Sequence, residues 1–312
     1  MKLINRVATE KDVTKILDIA NSELLALNPK DIPLGEIEGH EIVRGFFDPA
    51  ITRLTKLHSE DDWQSLISLN PDSSRKRFYL DIYTRPGAQT LALSLDLALD
   101  LARMHDPEYR LWIGTQSNDF AFKNLLESRE FTILRKYWTL EMTLQVNIDS
   151  ENDSPGVIRK LDLDKEDDLR TYHEVHQDSF SQHFGFMPRQ FAEWSELVLR
   201  DKDEINMQAW LISVNGNPVG FVDFNDELLH DDSGYVSGLG VRQAFQGKGF
   251  GEALLRHAIQ VNSELGRSKL CLSVEAGNES GALRLYEKVG MKPISEWHQY
   301  ENPNWSKSTS FQ

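Results

Sequence analysis

Residues 237–251 read Ser-Gly-Leu-Gly-Val-Arg-Gln-Ala-Phe-Gln-Gly-Lys-Gly-Phe-Gly, and this stretch decides the fold. Tyr235, Val236, Leu239 and Val241 supply the apolar positions of a strand that ends near Arg242. Gln246, Gly247, Lys248, Gly249, Phe250 and Gly251 form a glycine-spaced loop, and from Glu252 a proline-free apolar stripe opens a helix. A strand, a glycine loop and a helix in this order can cradle a phosphate. Glycines let backbone N–H groups converge without Cβ interference, and the helix N-terminus adds partial positive charge. The spacing is neither the dinucleotide fingerprint nor a P-loop, because no Gly-Lys-Ser/Thr occurs. The plainer alternative is a glycine-rich turn that only joins strand to helix.

Downstream, a strand over 269–274 holds the single Cys271, followed by a helix over 280–289 and closing strands near 293–300. Upstream, a hairpin over 208–214 and 219–225 turns at Asn215-Gly216-Asn217-Pro218, preceded by helices over 169–178 and 190–199 and a strand over 157–161. The acidic, polar segment 147–156 closes with Pro155-Gly156 and reads as a linker. Before it the same order recurs. A strand over 3–7 leads to a helix over 10–27 that Thr9 caps, and a strand over 77–83 leads through residues 84–89 to an apolar helix over 90–104. A strand over 110–114, a helix over 120–128 and extended chain to 144 complete it. Residues 30–75 are hard to read, although the spacing of Trp63, Leu66, Ile67 and Leu69 predicts a helix ending before Pro71. Residues 122–131 match 282–291, so two copies of one α/β (α+β) domain are expected, at 1–146 and 157–312.

The net charge of −15 argues against nucleic acid or an anionic membrane as the main partner, but not against a cationic acceptor. One cysteine rules out an intrachain disulfide, and within an apolar strand it reads as a buried structural thiol. No signal-like segment and no run of about 20 apolar residues is evident, so a cytoplasmic protein is expected.

Residues 241–255 resemble motif A of the GNAT superfamily of acetyl-CoA-dependent N-acetyltransferases, and residues 275–291 resemble its motif B. Two such domains in tandem are similar to the mycothiol synthase group, which acetylates the cysteinyl amine of a pseudo-disaccharide thiol. The resemblance implies two GNAT-like domains, each a mixed, mostly antiparallel sheet flanked by helices. It also implies acetyl-CoA as co-substrate and a small-molecule amine that attacks it directly. Loop residues Gln246, Gly247, Lys248, Gly249, Phe250 and Gly251 would bind the coenzyme pyrophosphate. Leu239, Gly240 and Val241 would pair with its pantetheine arm and polarise the acetyl carbonyl. Asn278 and Ser280 would lie beside it. Tyr286 falls where many members place a general acid for the departing thiolate; a packed structural tyrosine is the alternative.

The base departs from that pattern. Mycothiol synthases carry a glutamate on the strand before motif A, where this chain has Tyr235. Glu275 is the favoured substitute, with Asp223, Asp231 and Asp232 as alternatives. His183 and Phe184 are candidate acceptor contacts along with Tyr235. His173, His176 and His183 lack zinc spacing, so no metal is expected.

In the first copy the corresponding loop has one glycine and Pro86, which removes a donor, and Leu126 or a neighbour stands opposite Tyr286. That copy is expected not to catalyse. A non-catalytic acyl-CoA-binding scaffold is the competing class. Within enzymes, a protein N-terminus, a polyamine or an aminoglycoside competes with a mycothiol-type acceptor. A monomer and a homodimer are both compatible.

Overall fold

The computed structural model describes residues 2–145, 154–183, 185–277 and 281–305. In chain order the elements are β1 (Leu3–Val7), α1 (Val13–Leu27), α2 (Glu36–Arg44), β2 (Ile51–Leu57), β3 (Ser65–Asp72), β4 (Arg77–Thr84), α3 (Leu91–His105), β5 (Arg110–Gln116), α4 (Phe120–Ser128) and β6 (Thr132–Thr143). Then follow β7 (Val157–Lys160), α5 (Glu166–Phe180), α6 (Phe191–Ile205), β8 (Gln208–Val214), β9 (Asn217–Asn225), β10 (Ser233–Val241), α7 (Phe250–Glu264), β11 (Lys269–Glu275), α8 (Ala282–Lys288) and β12 (Lys292–Glu301). None of the described helices is long and apolar enough to cross a membrane.

The chain forms two compact units, and their ends do not follow the sequence halves. One holds the described residues of Met1–Trp138, Glu275–Gly277 and Ile294–Gln312; the other holds those of Thr139–Val274 and Asn278–Pro293. In the first unit β1, β2, β3 and β4 run antiparallel in turn, β4 pairs parallel with β5, and β12 pairs antiparallel with β5. The second unit repeats this: β7, β8, β9 and β10 alternate antiparallel and β10 pairs parallel with β11. Its sheet continues to residues 139–143 of β6, whose earlier residues lie beside β12 in the first unit.

The apolar spacing of each helix faces one side of these sheets. In the first unit Ile16, Ile19, Ala20 and Leu24 of α1 pack over Leu54, Leu66 and Tyr83. On the other face Leu95, Ala98, Leu99 and Ala102 of α3 meet Leu69, Leu80, Leu111 and Ile113. In the second unit α5 and α6 contribute Tyr172, Val175, Trp194 and Val198 over Leu211 and Phe221. Each large side chain buried this way contributes about 1.5–3 kcal/mol.

The helix expected around 63–69 is instead strand β3, buried along its whole length. Seven residues are too few for spacing to separate a helix from a strand with both faces covered. Pairing to β2 and β4 decides the matter, and the polar members find partners. Ser65 Oγ bonds Thr84 Oγ1 at 2.9 Å and Thr90 Oγ1 at 2.6 Å, and Asn70 Nδ2 donates to Ser68 Oγ at 3.0 Å.

Candidate active site in the second unit

Strand β10 is irregular where the second unit's site begins. Its antiparallel register with β9 shifts between Tyr235 and Gly238, which is a β-bulge. Its parallel register with β11 runs only from Ser233↔Lys269 to Val236↔Leu272. Residues 238–241 therefore keep their pairing to β9 while their other edge parts from β11. An edge of unpaired N–H and C=O groups can accept an extended ligand as an added strand.

Beyond β10 the chain makes a short 3-10 turn, Gln243–Phe245, and then the glycine loop. Gly249 is the N-cap of α7 with φ +85°, a value open to glycine at little cost, and no side chain caps the helix. The first-turn N–H groups of α7 thus have no intrahelical acceptor. Among the described residues only Pro155 Cγ, at 4.0 Å, approaches the position a Cβ on Gly249 would take, which leaves room there for an anion. Gln246 Nε2 donates to Val241 O at 3.1 Å and Lys248 Nζ to Ala244 O at 2.9 Å, which fold the loop onto itself. Phe250 is buried and anchors the helix start.

A carboxylate lies under the bulge. Asp223 on β9 is the register partner of Gly238 and is 3% exposed. It accepts from Tyr172 Oη at 2.5 Å and Ser237 Oγ at 2.5 Å, with the Gly238 N–H as a further donor. A side chain on Gly238 would collide with this carboxylate, which is why glycine stands there. Burial raises the Asp223 pKa and outweighs the opposing hydroxyl bonds from Ser237 and Tyr172. Ser237 is exposed, so its hydroxyl joins the open edge of β10 to the buried carboxylate.

Around this pair stands an aromatic wall from α5, α6 and β9. Tyr172 packs on Trp194 at 4.8 Å and Phe221 at 5.2 Å, and His176 lies 4.9 Å from Phe180 and 5.4 Å from Phe221. Burial lowers the His176 pKa to about 4, so the ring is neutral at physiological pH. Ser179 Oγ in the same wall is buried without a partner among the described residues.

Tyr286 on α8 is 8% exposed, and burial pushes its phenol up to about 12. The hydroxyl is protonated throughout the physiological range. Cys271 is buried, and its thiol is likewise pushed up to about 12, which fits a structural role better than a nucleophilic one.

The sequence-predicted residues are placed unevenly. Leu239, Gly240, Val241, Gln246, Gly247, Lys248, Gly249, Phe250, Gly251 and Tyr286 all belong to the second unit. Tyr235 is there too, with its phenol bonded to Ser273 and pushed up by burial to about 12. Glu275 belongs to the first unit, where its Oε1 pairs with Arg135 Nε at 2.8 Å. His183 packs edge-on against Phe180 at 4.7 Å on the exposed turn after α5. Phe184, Asn278 and Ser280 lie outside the described residues. Among the described residues no group of three or more His, Cys, Asp or Glu is gathered as a metal ion would require. Sequence reasoning left Asp223 among the alternatives and missed Tyr172 and Ser237. The available signal was one carboxylate inside the apolar run 219–224, a polarity that such a strand does not carry without partners.

Residues 168–291 match the acetyltransferase (GNAT) family. A mycothiol acetyltransferase of Kocuria rhizophila is 25% identical over 236 residues, covering 71% of this chain and 73% of that protein. An uncharacterised N-acetyltransferase of Methanocaldococcus jannaschii is 30% identical over 139 residues, 43% of this chain and 58% of that protein. Among solved structures, a GCN5-related N-acetyltransferase from Sphaerobacter thermophilus superposes with a TM-score of 0.75 at 18% identity, covering 96% of this chain and 95% of that one. A tandem GNAT protein from the clavulanic acid biosynthesis pathway gives 0.71 at 12% identity over 96% and 99%.

Proposed function

We propose that the second unit of this chain, whose residues 168–291 match the acetyltransferase (GNAT) family, transfers acetyl from acetyl-CoA to the primary amine of a small molecule. The observation that carries this reading is the open edge of β10 directly above the Ser237–Asp223 pair.

Residues 237–241 receive the pantetheine arm along that edge, and backbone N–H groups of Leu239–Val241 polarise the thioester carbonyl. The loop from Gln246 to Gly251 and the first turn of α7 hold the pyrophosphate. The amine nitrogen attacks the carbonyl carbon and forms the new C–N bond as the C–S bond breaks. Asp223 takes the proton that the amine sheds, relayed through the Ser237 hydroxyl, and its raised pKa makes it the stronger base for this. Tyr286 gives its proton to the leaving thiolate and recovers one from solvent. Glu275 is the weaker candidate for the base because it is committed to Arg135. The mycothiol acetyltransferase relative makes an amine on a sugar-linked thiol the first acceptor to assay.

Steady thiol release from acetyl-CoA with a panel of amines tests the reading. A chain that binds acetyl-CoA but releases no thiol with any amine would favour the scaffold class instead. Tyr286→Phe is expected to lower kcat by about a hundredfold with acetyl-CoA affinity retained; an unchanged rate would reject the phenol as the acid. Gly249→Trp puts a bulky side chain at a φ of +85°, in the space assigned to the pyrophosphate, and is expected to weaken acetyl-CoA binding at least tenfold by calorimetry. Wild-type affinity in that variant would sink the loop assignment.

A further inference from the structure

In the first unit the parallel register of β4 with β5 runs from Arg77↔Arg110 to Leu80↔Ile113 and stops, as that of β10 with β11 does in the second. Beyond it lie Asp81 to Thr84 on one strand and Gly114 to Gln116 on the other. The loop that follows β4 carries Pro86 and a single glycine, so this splay has no phosphate cradle after it. What fills it is negative. A narrow cleft here is lined by Glu23 of α1, Asp81 and Tyr83 of β4, Gln116 of β5, Asp119 before α4, and Trp297 of β12.

The polar groups of this cleft are unequally served. Asp119 caps α4 by accepting the Phe122 N–H at 2.9 Å, and Glu23 accepts the Thr84 N–H. Gln116 Nε2 donates to Asp31 at 2.5 Å. Asp81 has neither a hydrogen bond nor an ion pair among the described residues, and Gly114 makes room for it: a Cβ there would stand 2.6 Å from Asp81 Oδ1. Tyr83 is 9% exposed, and its hydroxyl has no hydrogen-bond partner among the described residues although it lines the cleft within electrostatic reach of Asp81, Glu23 and Asp31. Among the described residues no lysine or arginine lines the cleft; Lys123, the nearby cation beside Asp119, spends its ammonium on Ser117 O. Burial raises Glu23 to about 8 and Asp81 to about 7, as expected of carboxyls that lack a counter-charge.

We propose that this cleft of the first unit binds a small organic cation through a primary ammonium group, held by Asp81 and Glu23 with the Tyr83 hydroxyl as a further acceptor. A metal ion is a poorer fit, because the described carboxylates do not gather in threes at coordinating distance. An ammonium needs fewer and looser acceptors and gains from the faces of Tyr83 and Trp297. The proposal is independent of the chemistry assigned to the second unit.

Calorimetric titration of the full chain with putrescine at pH 7.5, with ethylamine and magnesium chloride as comparison ligands, tests it. Putrescine and ethylamine are expected to bind. Asp81→Asn and Glu23→Gln are each expected to weaken that binding at least tenfold. Both unit-one substitutions replace a carboxyl by its neutral isostere, close to the form the fold already holds, so circular dichroism is expected to match wild type. A quench of Trp297 fluorescence by putrescine, absent in Trp297→Phe, reads the same event without altering a carboxyl. The proposal is overturned if neither amine binds the wild-type chain, if only magnesium binds, or if amine binding is lost in Asp223→Asn and kept in both unit-one variants.

Discussion

Asp223→Asn lowers kcat for acetyl transfer by about a hundredfold to ten-thousandfold, the range that removing a positioned general base spans. The amide keeps the size of the carboxylate, but its single oxygen can accept from only one of the Tyr172 and Ser237 hydroxyls, which in the native chain reach separate oxygens at 2.5 Å, and its NH2 group faces the other. It cannot take up a proton. Acetyl-CoA affinity is expected to stay within about twofold, because the amide keeps the shape of the side chain beneath β10 and the glycine loop assigned to the pyrophosphate does not touch it. The wild-type profile of kcat/KM should rise with pH through a group above the ordinary aspartate value, since burial raises Asp223 and the ionised form is the active one. That limb should disappear in the variant. A fall in rate accompanied by an equal loss of acetyl-CoA affinity would show a structural role instead. Glu275→Gln is the companion measurement, expected to change kcat less than Asp223→Asn does; the reverse order would return the base to Glu275.

The first unit loses stability as pH rises from 6.5 to 8.5. In the unfolded chain Glu23 and Asp81 titrate near their ordinary values of 4.5 and 3.8, whereas in the fold burial holds them near 8 and 7. Between these limits the folded state keeps protons that the unfolded state has released, so the unfolding free energy falls with rising pH. The contribution is complete below the unfolded values and is lost as pH passes 7 and then 8. The window begins at 6.5 because His176 and His257, both lowered by burial, act in the opposite direction only below the ordinary histidine value. Asp12, held low by Arg6, changes state only in acid. One retained proton is worth about 1.4 kcal/mol per pH unit, so the loss across the window is about 3 kcal/mol. Urea midpoints at the two pH values measure it, and Glu23→Gln should flatten the dependence. A midpoint that rises with pH would contradict the assignment.

The two units differ at equivalent places for reasons that the sequence partly states. Gly247, Gly249 and Gly251 against Pro86 and Gly87 already separated a loop able to approach a phosphate from one that is not. The run 77–83 was readable as a strand, but that Asp81 in it would stand without a partner beside Tyr83 was not, because the cleft is made by α1 and β12 as well. The same limit hid Asp223: Tyr172 lies 51 residues away and Ser237 lies 14 away, so the network exists only after α5, β9 and β10 have packed. The run 63–69 failed as a helix because its spacing fits two periods and sheet neighbours chose between them.

By itself the sequence determined the repeat, the order of elements outside residues 30–75, the glycine loop and the tyrosine of α8. These are local: they depend on spacing, on glycine's freedom at positive φ and on side chains a few residues apart. The tertiary structure alone decided that the compact units take segments from both halves of the chain and that Glu275 is held by Arg135 while a buried Asp223 sits beneath the open edge of β10. These rest on strand register and burial, which raise or quench a carboxylate through neighbours that the linear order does not reveal.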